Sequence, residues 1–340
     1  MATDISLIIP SFNRVDLLRL TLSSAGKAIH NLNAEIILVD DGSEPPLKPQ
    51  LIEFDHLPIK FIRQNNSGLT TSRYNGLLQA SGEFIQFLDS DDQITADKLL
   101  NQVCEMQKQN ADVSHTDVLQ AKLDKQNQII PLNATIYKDV ENPAEFYITV
   151  QPPPHSPVFR RDYLIKYLSN PFIPLSRAYD SIGEVWFYYN LSPYPAKIIK
   201  IEKPLTIIIH HDEGRLTNHW ERLGLCALSL MKSFVKSRPV GEIFSEDAKR
   251  LIGKAAFNTF RGLPFNIYKP FQKEFLNVWR LLGRTKDVGG GNKFTWLAKI
   301  IGYPQAAVLL KYLANNNYRN IRTIEDGELV DKTTEILKIS

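Results

Sequence analysis

The first third of the chain alternates short apolar runs with amphipathic stretches. Ile5-Ser6-Leu7-Ile8-Ile9, Glu35-Ile36-Ile37-Leu38-Val39, Ile59-Lys60-Phe61-Ile62-Arg63 and Phe84-Ile85-Gln86-Phe87-Leu88 are each rich in β-formers and short enough for a buried strand. Between them, Leu17 to Ile29 and Leu69 to Ala80 read as helices, and a further helix over 96–109 puts Leu99, Leu100, Val103 and Met106 on one face. Strand–helix–strand of this length predicts a βαβ unit, a parallel sheet and a right-handed crossover. Polar loops follow the first, second and fourth runs, so they should converge at the carboxyl edge of one sheet, where open α/β folds bind ligands.

Beyond Gln109 the pattern loosens. Val113 to Leu119 reads as a strand, whereas residues 121–151 give no periodicity. Gln151-Pro152-Pro153-Pro154-His155-Ser156-Pro157 excludes helix and central strand and reads as a shaped loop ahead of the strand-like Val158-Phe159. Asp180 to Leu191 is helical in pattern, and Ile198 to Ile209 carries two strand-like runs. After Trp220 the chain turns helical, so the expected division is an α/β domain over 1–215 and a basic, mainly helical region over 216–340.

Composition changes this picture in one place. Hydrophobic content of 43% and charged content of 23% are ordinary for a folded domain. The net charge of +3 hides a basic stretch: Lys232 to Arg322 holds 17 Lys and Arg against five acidic residues, interleaved with aromatics. Such a surface suits an anionic lipid or an anionic acceptor. Nucleic acid is not expected, because no zinc spacing or recognition-helix motif accompanies the charge. Two cysteines cannot form a disulfide framework and fit a reducing compartment. The N-terminus has no signal-peptide pattern, and no apolar run reaches the length of a spanning helix.

The candidate chemistry begins where the fourth strand runs into Asp89-Ser90-Asp91-Asp92. Carboxylates this close repel one another, and a hard cation, Mg²⁺ or Mn²⁺, relieves the repulsion. The competing reading is a helix N-cap, with Ser90, Asp91 or Asp92 capping a helix that starts near Thr95.

Ile9-Pro10-Ser11-Phe12-Asn13-Arg14, Val39-Asp40-Asp41-Gly42-Ser43, Asn66-Ser67-Gly68 leading to Arg73, and Phe87-Leu88-Asp89-Ser90-Asp91-Asp92 occur in an order and spacing that resemble the family 2 glycosyltransferases. The resemblance covers about the first 95 residues well and continues loosely to about residue 215. It implies the GT-A nucleotide-diphospho-sugar transferase fold, a mostly parallel α/β sheet flanked by helices, and an inverting, metal-dependent enzyme. Pro10, Ser11, Phe12, Asn13 and Arg14 would hold the nucleoside, with Phe12 against the base and Asp41 reading the base edge. A uracil N–H suits a carboxylate acceptor, so UDP-sugars are the expected donors. Gly68, Arg73, Asp89, Ser90 and Asp91 would complete donor binding. Asp91 and Asp92 would hold the cation, with His211 as a candidate third ligand.

Two positions depart from the family pattern. Arg73-Tyr74-Asn75-Gly76 has Tyr where the family has Asn, which leaves Asn75 without an assigned role. Glu184-Val185 has Val where Asp is common after the catalytic acid. Glu184 is the expected base that deprotonates the acceptor hydroxyl, with Asp180 the alternative; such a base needs a partly desolvated site that raises its pKa. His155 is placed on the acceptor side, and residues 121–155 and 210–218 are candidate lids. The expected acceptor is a saccharide or a lipid-linked saccharide in cell-surface polysaccharide or glycolipid synthesis, made by a cytoplasmic enzyme that sits at the inner membrane face. Trp296-Leu297-Ala298-Lys299-Ile300-Ile301, Tyr303 and Lys311 have the mixed character of an interfacial helix. A non-catalytic sugar-nucleotide-binding scaffold and a nucleotidyltransferase on a related fold are the competing classes. The donor sugar, the linkage and the oligomeric state have no signature in the chain.

Overall fold

The computed structural model describes residues 4–210, 219–237, 245–314 and 317–338. The chain divides into two compact units, Met1–Glu213 and Gly214–Ser340.

The first unit is built on one sheet with strand order β3-β2-β1-β4-β8-β6-β9-β5, with β7 beside β6. β1 (Ile5–Ser11), β2 (Ala34–Asp40), β3 (Ile59–Arg63) and β4 (Phe84–Phe87) run parallel. All seven residues of β1 are buried, which explains its near-continuous apolar run: a central parallel strand is covered on both faces. α1 (Val15–Ala28) and α2 (Leu69–Leu78) are the crossovers, and α3 (Lys98–Gln109) follows β5 (Gln93–Ile94). Leu18, Leu22 and Ala25 of α1 join Leu99, Val103 and Met106 of α3 in one core under β1, β2 and β4.

Past α3 the sheet becomes mixed. β6 (Val113–Leu123) and β7 (Ile129–Thr135) form a hairpin across the stretch that has no sequence period. β7 has water on most of its residues, so burial imposes no alternation on it. A short helical segment, α4 (Pro143–Glu145), runs on through Val150 to the proline loop. β8 (Val158–Arg160) then lies antiparallel between β4 and β6, followed by α5 (Arg161–Leu168) and α6 (Gly183–Leu191). The two expected runs over 198–209 are one bent strand, β9 (Ile198–His210). Its register against β6 shifts around Pro204, and the irregularity absorbs the residue that looked like a strand end.

One local expectation is corrected. The helix after the acidic cluster begins at Lys98, not near Thr95, because Gln93 and Ile94 pair with β9 instead. Ser90, Asp91 and Asp92 therefore do not cap it. In α1, which starts at Val15, Asp16 lies in the first turn and pairs with Arg19 at 3.0 Å.

The second unit is helical: α7 (Trp220–Lys236), α8 (Glu246–Gly262), α9 (Lys269–Leu281), α10 (Asn292–Ile301), α11 (Tyr303–Ala314) and α12 (Asp326–Leu337). Its core is aromatic, with Phe257 against Trp279 at 4.9 Å and Phe271 edge-on to Phe275. Part of its basic charge is paired locally, as in Lys232–Glu274 at 3.0 Å and Arg250–Asp287 at 2.7 Å. Among the described residues no helix is long and apolar enough to cross a membrane.

Gly82, in the turn before β4, tests how tightly the parallel core closes. A Cβ there would meet the backbone nitrogen of Ser6 at 2.5 Å, and strand backbone cannot move aside. Gly82→Ala should lower unfolding stability by about 1–3 kcal/mol, seen as a reduced urea midpoint.

Candidate active site

β1, β2 and β4 deliver their polar termini to one edge of the sheet. The Pro10–Arg14 loop leaves β1 with Asn13 at φ 52°, a conformation Asn tolerates well. The loop is fastened to the turn after β2: Asn13 N–H donates to Ser43 Oγ at 3.0 Å, and its side-chain oxygen accepts from Glu44 N–H at 2.9 Å. Pro10 and Ser11 are buried strand residues, whereas Phe12 is 45% exposed and offers an open ring face.

The two aspartates after β2 have different duties. Asp40 ties down its own turn, accepting from Ser43 N–H, Leu47 N–H and Arg63. Burial pushes its pKa up, and these donors outweigh burial, so it lies below the ordinary value. Asp41 is 5% exposed and reaches across to the loop before α2. It accepts from Ser67 N–H at 2.8 Å, Gly68 N–H at 2.9 Å and the Gln64 side chain at 2.7 Å. Gln64 is oriented in turn by Asn75, whose amide donates to Gln64 Oε1 at 2.7 Å. That bond is what Asn75 does here, and Tyr74 instead donates to Leu168 O at 2.9 Å.

Arg73 is the hub of the site. It is 1% exposed, with Nη2 bonded to Asp89 Oδ1 at 2.5 Å and Nη1 paired with Glu184 Oε2 at 3.6 Å. Asp89 is held below its ordinary pKa: burial would raise it, and the positive charge of Arg73 prevails. Glu184 lies above its ordinary value, because burial outweighs the attraction of Arg73. Asp180 is also raised by burial, but it is engaged elsewhere, accepting from Thr70 N–H at 3.3 Å. Only glycine fits at 68, since a Cβ there would land on the Asp180 carboxylate.

The remaining acids face different neighbours. Asp91 pairs with Arg14 at 2.5 Å, while Ser90 is buried beside it. Asp92 accepts from Ile209 N–H at 2.8 Å, which joins the acidic loop to β9. Asp89, Asp92 and His155 each offer a donor atom, all within 4.8 Å of one another. His155 is 2% exposed, and neither ring nitrogen has a hydrogen-bond partner. Burial lowers its pKa to about 4 despite the carboxylates, so the ring is neutral at pH 7. Two carboxylates and a neutral imidazole are a chemically suitable donor set for a divalent cation. His211 lies outside the described residues.

Sequence reasoning did not anticipate the polar layer beneath this cluster. Lys98 is fully buried, and Nζ donates to Gln86 Oε1 at 2.7 Å, to Gln102 Oε1 and to Ser156 O at 3.1 Å. The signal was available: Gln86 interrupts an apolar strand, and Lys98 and Gln102 share a helix face with Leu99, Val103 and Met106.

Comparison with known proteins adds a family and a fold. Residues 6–168 match the family model described as Glycosyl transferase family 2. Over 118 residues the chain is 39% identical to the GalNAc(5)-diNAcBac-PP-undecaprenol beta-1,3-glucosyltransferase of Campylobacter jejuni, covering 33% of this chain and 36% of that protein. Over 107 residues it is 36% identical to the UDP-Glc:alpha-D-GlcNAc-diphosphoundecaprenol beta-1,3-glucosyltransferase WfgD of Escherichia coli, covering 31% and 42%. An uncharacterized glycosyltransferase of Rickettsia bellii is 34% identical over 114 residues, which is only 16% of its length. These matches thus span less than half of each curated relative. Among solved structures, S. aureus TarS 1-349 in complex with UDP-GlcNAc superposes with a TM-score of 0.63 at 16% identity, covering 95% of this chain and 93% of that one. The mannosyltransferase PcManGT of Pyrobaculum calidifontis, in complex with GDP-Man and Mn²⁺, superposes with a TM-score of 0.53 at 12% identity, covering 99% and 88%. The fold is GT-A, with C-terminal helices following it.

The raised pKa of Glu184 has a consequence for stability. The folded state holds this proton to higher pH than the unfolded chain does, so ionising Glu184 opposes folding. That loss sets in as pH rises from the ordinary Glu value to the folded one. Glu184→Gln should therefore melt higher than wild type at pH 8, and the gain should fade as pH falls towards about 4.3. Thermal melts across pH 4–8 measure it, and a gain independent of pH would contradict the assignment.

Proposed function

We infer that this chain, whose residues 6–168 belong to glycosyl transferase family 2, transfers a sugar with inversion from a nucleotide-diphosphate sugar, a UDP-sugar by preference, to a hydroxyl of a saccharide or lipid-linked acceptor. The observation that carries this reading is Arg73, buried between Asp89 and Glu184. It sets a carboxyl group of raised pKa beside the acidic loop without bonding it tightly. A base needs that balance: enough burial to accept a proton near neutrality, and enough positive charge nearby to be ionised beforehand.

The donor's nucleoside would lie over the Pro10–Arg14 loop, with Phe12 against the base and Asp41 at the base edge. Asp41 is held in position by Ser67, Gly68 and Gln64, which fixes where its carboxylate can accept. Arg14 and Arg73 supply positive charge on either side of Asp89-Ser90-Asp91, where a diphosphate would sit. A divalent cation, Mg²⁺ or Mn²⁺, held at Asp91 and Asp92, would neutralise charge developing on the leaving diphosphate. Glu184 takes the acceptor's proton as the acceptor oxygen attacks opposite that leaving group. Asp180, committed to the N-terminus of α2, holds the loop that carries Gly68.

The acceptor side rests on the second unit. α10 carries the exposed Lys293 and Lys299, Lys311 of α11 is buried, and neither helix holds an acidic residue. Trp296 and Ile300 on α10, and Val308, Leu309, Tyr312 and Leu313 on α11, are exposed, with Trp296 at 66% and Leu313 at 67%. Apolar and aromatic side chains on one face of each helix, with lysines and no carboxylate, suit an anionic membrane surface. A lipid-linked acceptor would be met there. The Campylobacter and Escherichia relatives carry such acceptors in their names.

Two measurements test this reading. Nucleoside diphosphate released from UDP-, GDP- and dTDP-sugars with Mn²⁺ should be greatest for the UDP class. Glu184→Gln should lower turnover by about 100- to 10,000-fold while UDP binding persists. Failure of every nucleotide to bind would refute the donor site. Flotation with anionic vesicles at low salt should carry the protein upward. The pair Trp296→Ser and Leu313→Ser should weaken binding more than about tenfold, since each side chain is worth about 1.5–3 kcal/mol when buried. Wild type that stays at the bottom would remove the membrane from the proposal.

A further inference from the structure

We propose that His155 is a ligand of the cation in this site, through Nε2, and that it biases the site towards Mn²⁺ over Mg²⁺. The proposal rests on the donor-site reading above and adds to it a residue that the Asp-based motif does not contain.

His155 Nδ1 faces Asp89 Oδ2 at 3.9 Å, and Nε2 faces Asp92 Oδ2 at 3.3 Å. A neutral imidazole carries one N–H and one lone pair. Both ring nitrogens are buried without a hydrogen-bond partner, and each faces a carboxylate oxygen. A cation shared by Nε2 and Asp92 would give Nε2 the partner it lacks. Their 3.3 Å separation is close to the spacing of about 3 Å between neighbouring ligands when metal–ligand bonds are about 2.1 Å. Asp89, 3.9 Å from Nδ1, is the carboxylate towards which a ligating histidine could turn its other N–H by closing to hydrogen-bond distance. Asp89 is itself held on its far oxygen by Arg73.

The ring is also placed with little freedom. Thr206 Oγ1 donates to His155 O at 3.0 Å. The carbonyl of the next residue, Ser156, accepts from buried Lys98 at 3.1 Å and from Gln102 at 3.2 Å. Ser156 Oγ donates to Thr116 O at 2.7 Å and accepts from Thr116 N–H at 3.1 Å. The proline-rich loop is thus clamped to β6, β9 and α3 at the histidine and at the residue after it. Lys98 and Gln102 gain a purpose by this account, since they hold the loop that presents the ring. A nitrogen donor favours first-row transition ions, whereas Mg²⁺ keeps to oxygen ligands and water.

Three-pulse electron spin-echo spectroscopy of the full chain loaded with Mn²⁺, with and without UDP, tests the assignment. Wild type should show ¹⁴N modulation, replaced by a ¹⁵N pattern after labelling with ¹⁵N-histidine. The modulation should survive His211→Gln and disappear in His155→Gln. Calorimetry should show Mn²⁺ affinity falling at least about tenfold in His155→Gln while Mg²⁺ affinity changes little. Bound Mn²⁺ without nitrogen coupling, coupling lost in His211→Gln, or no Mn²⁺ uptake with or without UDP would each overturn the proposal. His155→Ala replaces the Gln variant if that one fails to fold, and the labelling comparison needs no variant. UDP binding in the same samples keeps the two readings apart. UDP bound alongside nitrogen-free Mn²⁺ overturns only the His155 assignment, whereas absent UDP binding overturns the donor site itself.

Discussion

Repulsion among carboxylates gathered at one sheet edge is the constraint that the rest of the structure answers. Asp40, Asp41, Asp89, Asp91 and Asp92 come from the ends of β2 and β4 and the loops after them, and Asp180 and Glu184 from the turn before α6 and its first turn. Left to itself, such a group would protonate or push its loops apart. The five aspartates after β2 and β4 are each answered by a different partner instead. Asp40 has backbone donors and Arg63, Asp41 has the loop before α2, Asp89 has Arg73, Asp91 has Arg14, and Asp92 has β9. The division of labour gives neighbouring carboxyls different proton affinities on one scaffold. Asp89 is held down by charge and Glu184 is held up by burial, although one guanidinium faces both.

Burying a charged residue such as Arg73 is costly unless it is well paired, and a buried pair is weak evidence for stability. Its value here is positional. A planar guanidinium fixes two carboxylates relative to each other, which a flexible ammonium would do poorly. The clamp reaches from α2 to the end of β4 and the start of α6, three elements distant in sequence.

The second unit solves a different problem. It has an aromatic core, and local ion pairs account for part of the basic stretch that the composition displays. Lys311 is an example: it is buried over the Phe260 ring at 4.1 Å, and burial lowers its pKa to about 8. It therefore belongs to packing more than to any surface. α10 and α11 present an exposed apolar face, with Lys293 and Lys299 exposed on α10.

By itself the sequence determined the parallel half of the sheet, its crossover helices and the convergence of their loops. Those features follow from local apolar periodicity and from polar residues that interrupt it at strand ends. The motif order carried the family and the GT-A fold. It could not tell which acid faces which cation, since Asp89, Asp91 and Asp92 are chemically alike and only the path of the chain separates them. Nor could it reveal β7, whose exposed residues have no face to alternate towards, or β9 as one strand, because a bulge around Pro204 reads as a break. His155 was visible as a residue in a proline loop. Its burial between Asp89 and Asp92 was decided by β8 returning antiparallel beside β4 and by Lys98 gripping the next carbonyl. Such contacts join positions more than 50 residues apart, and no local pattern encodes them.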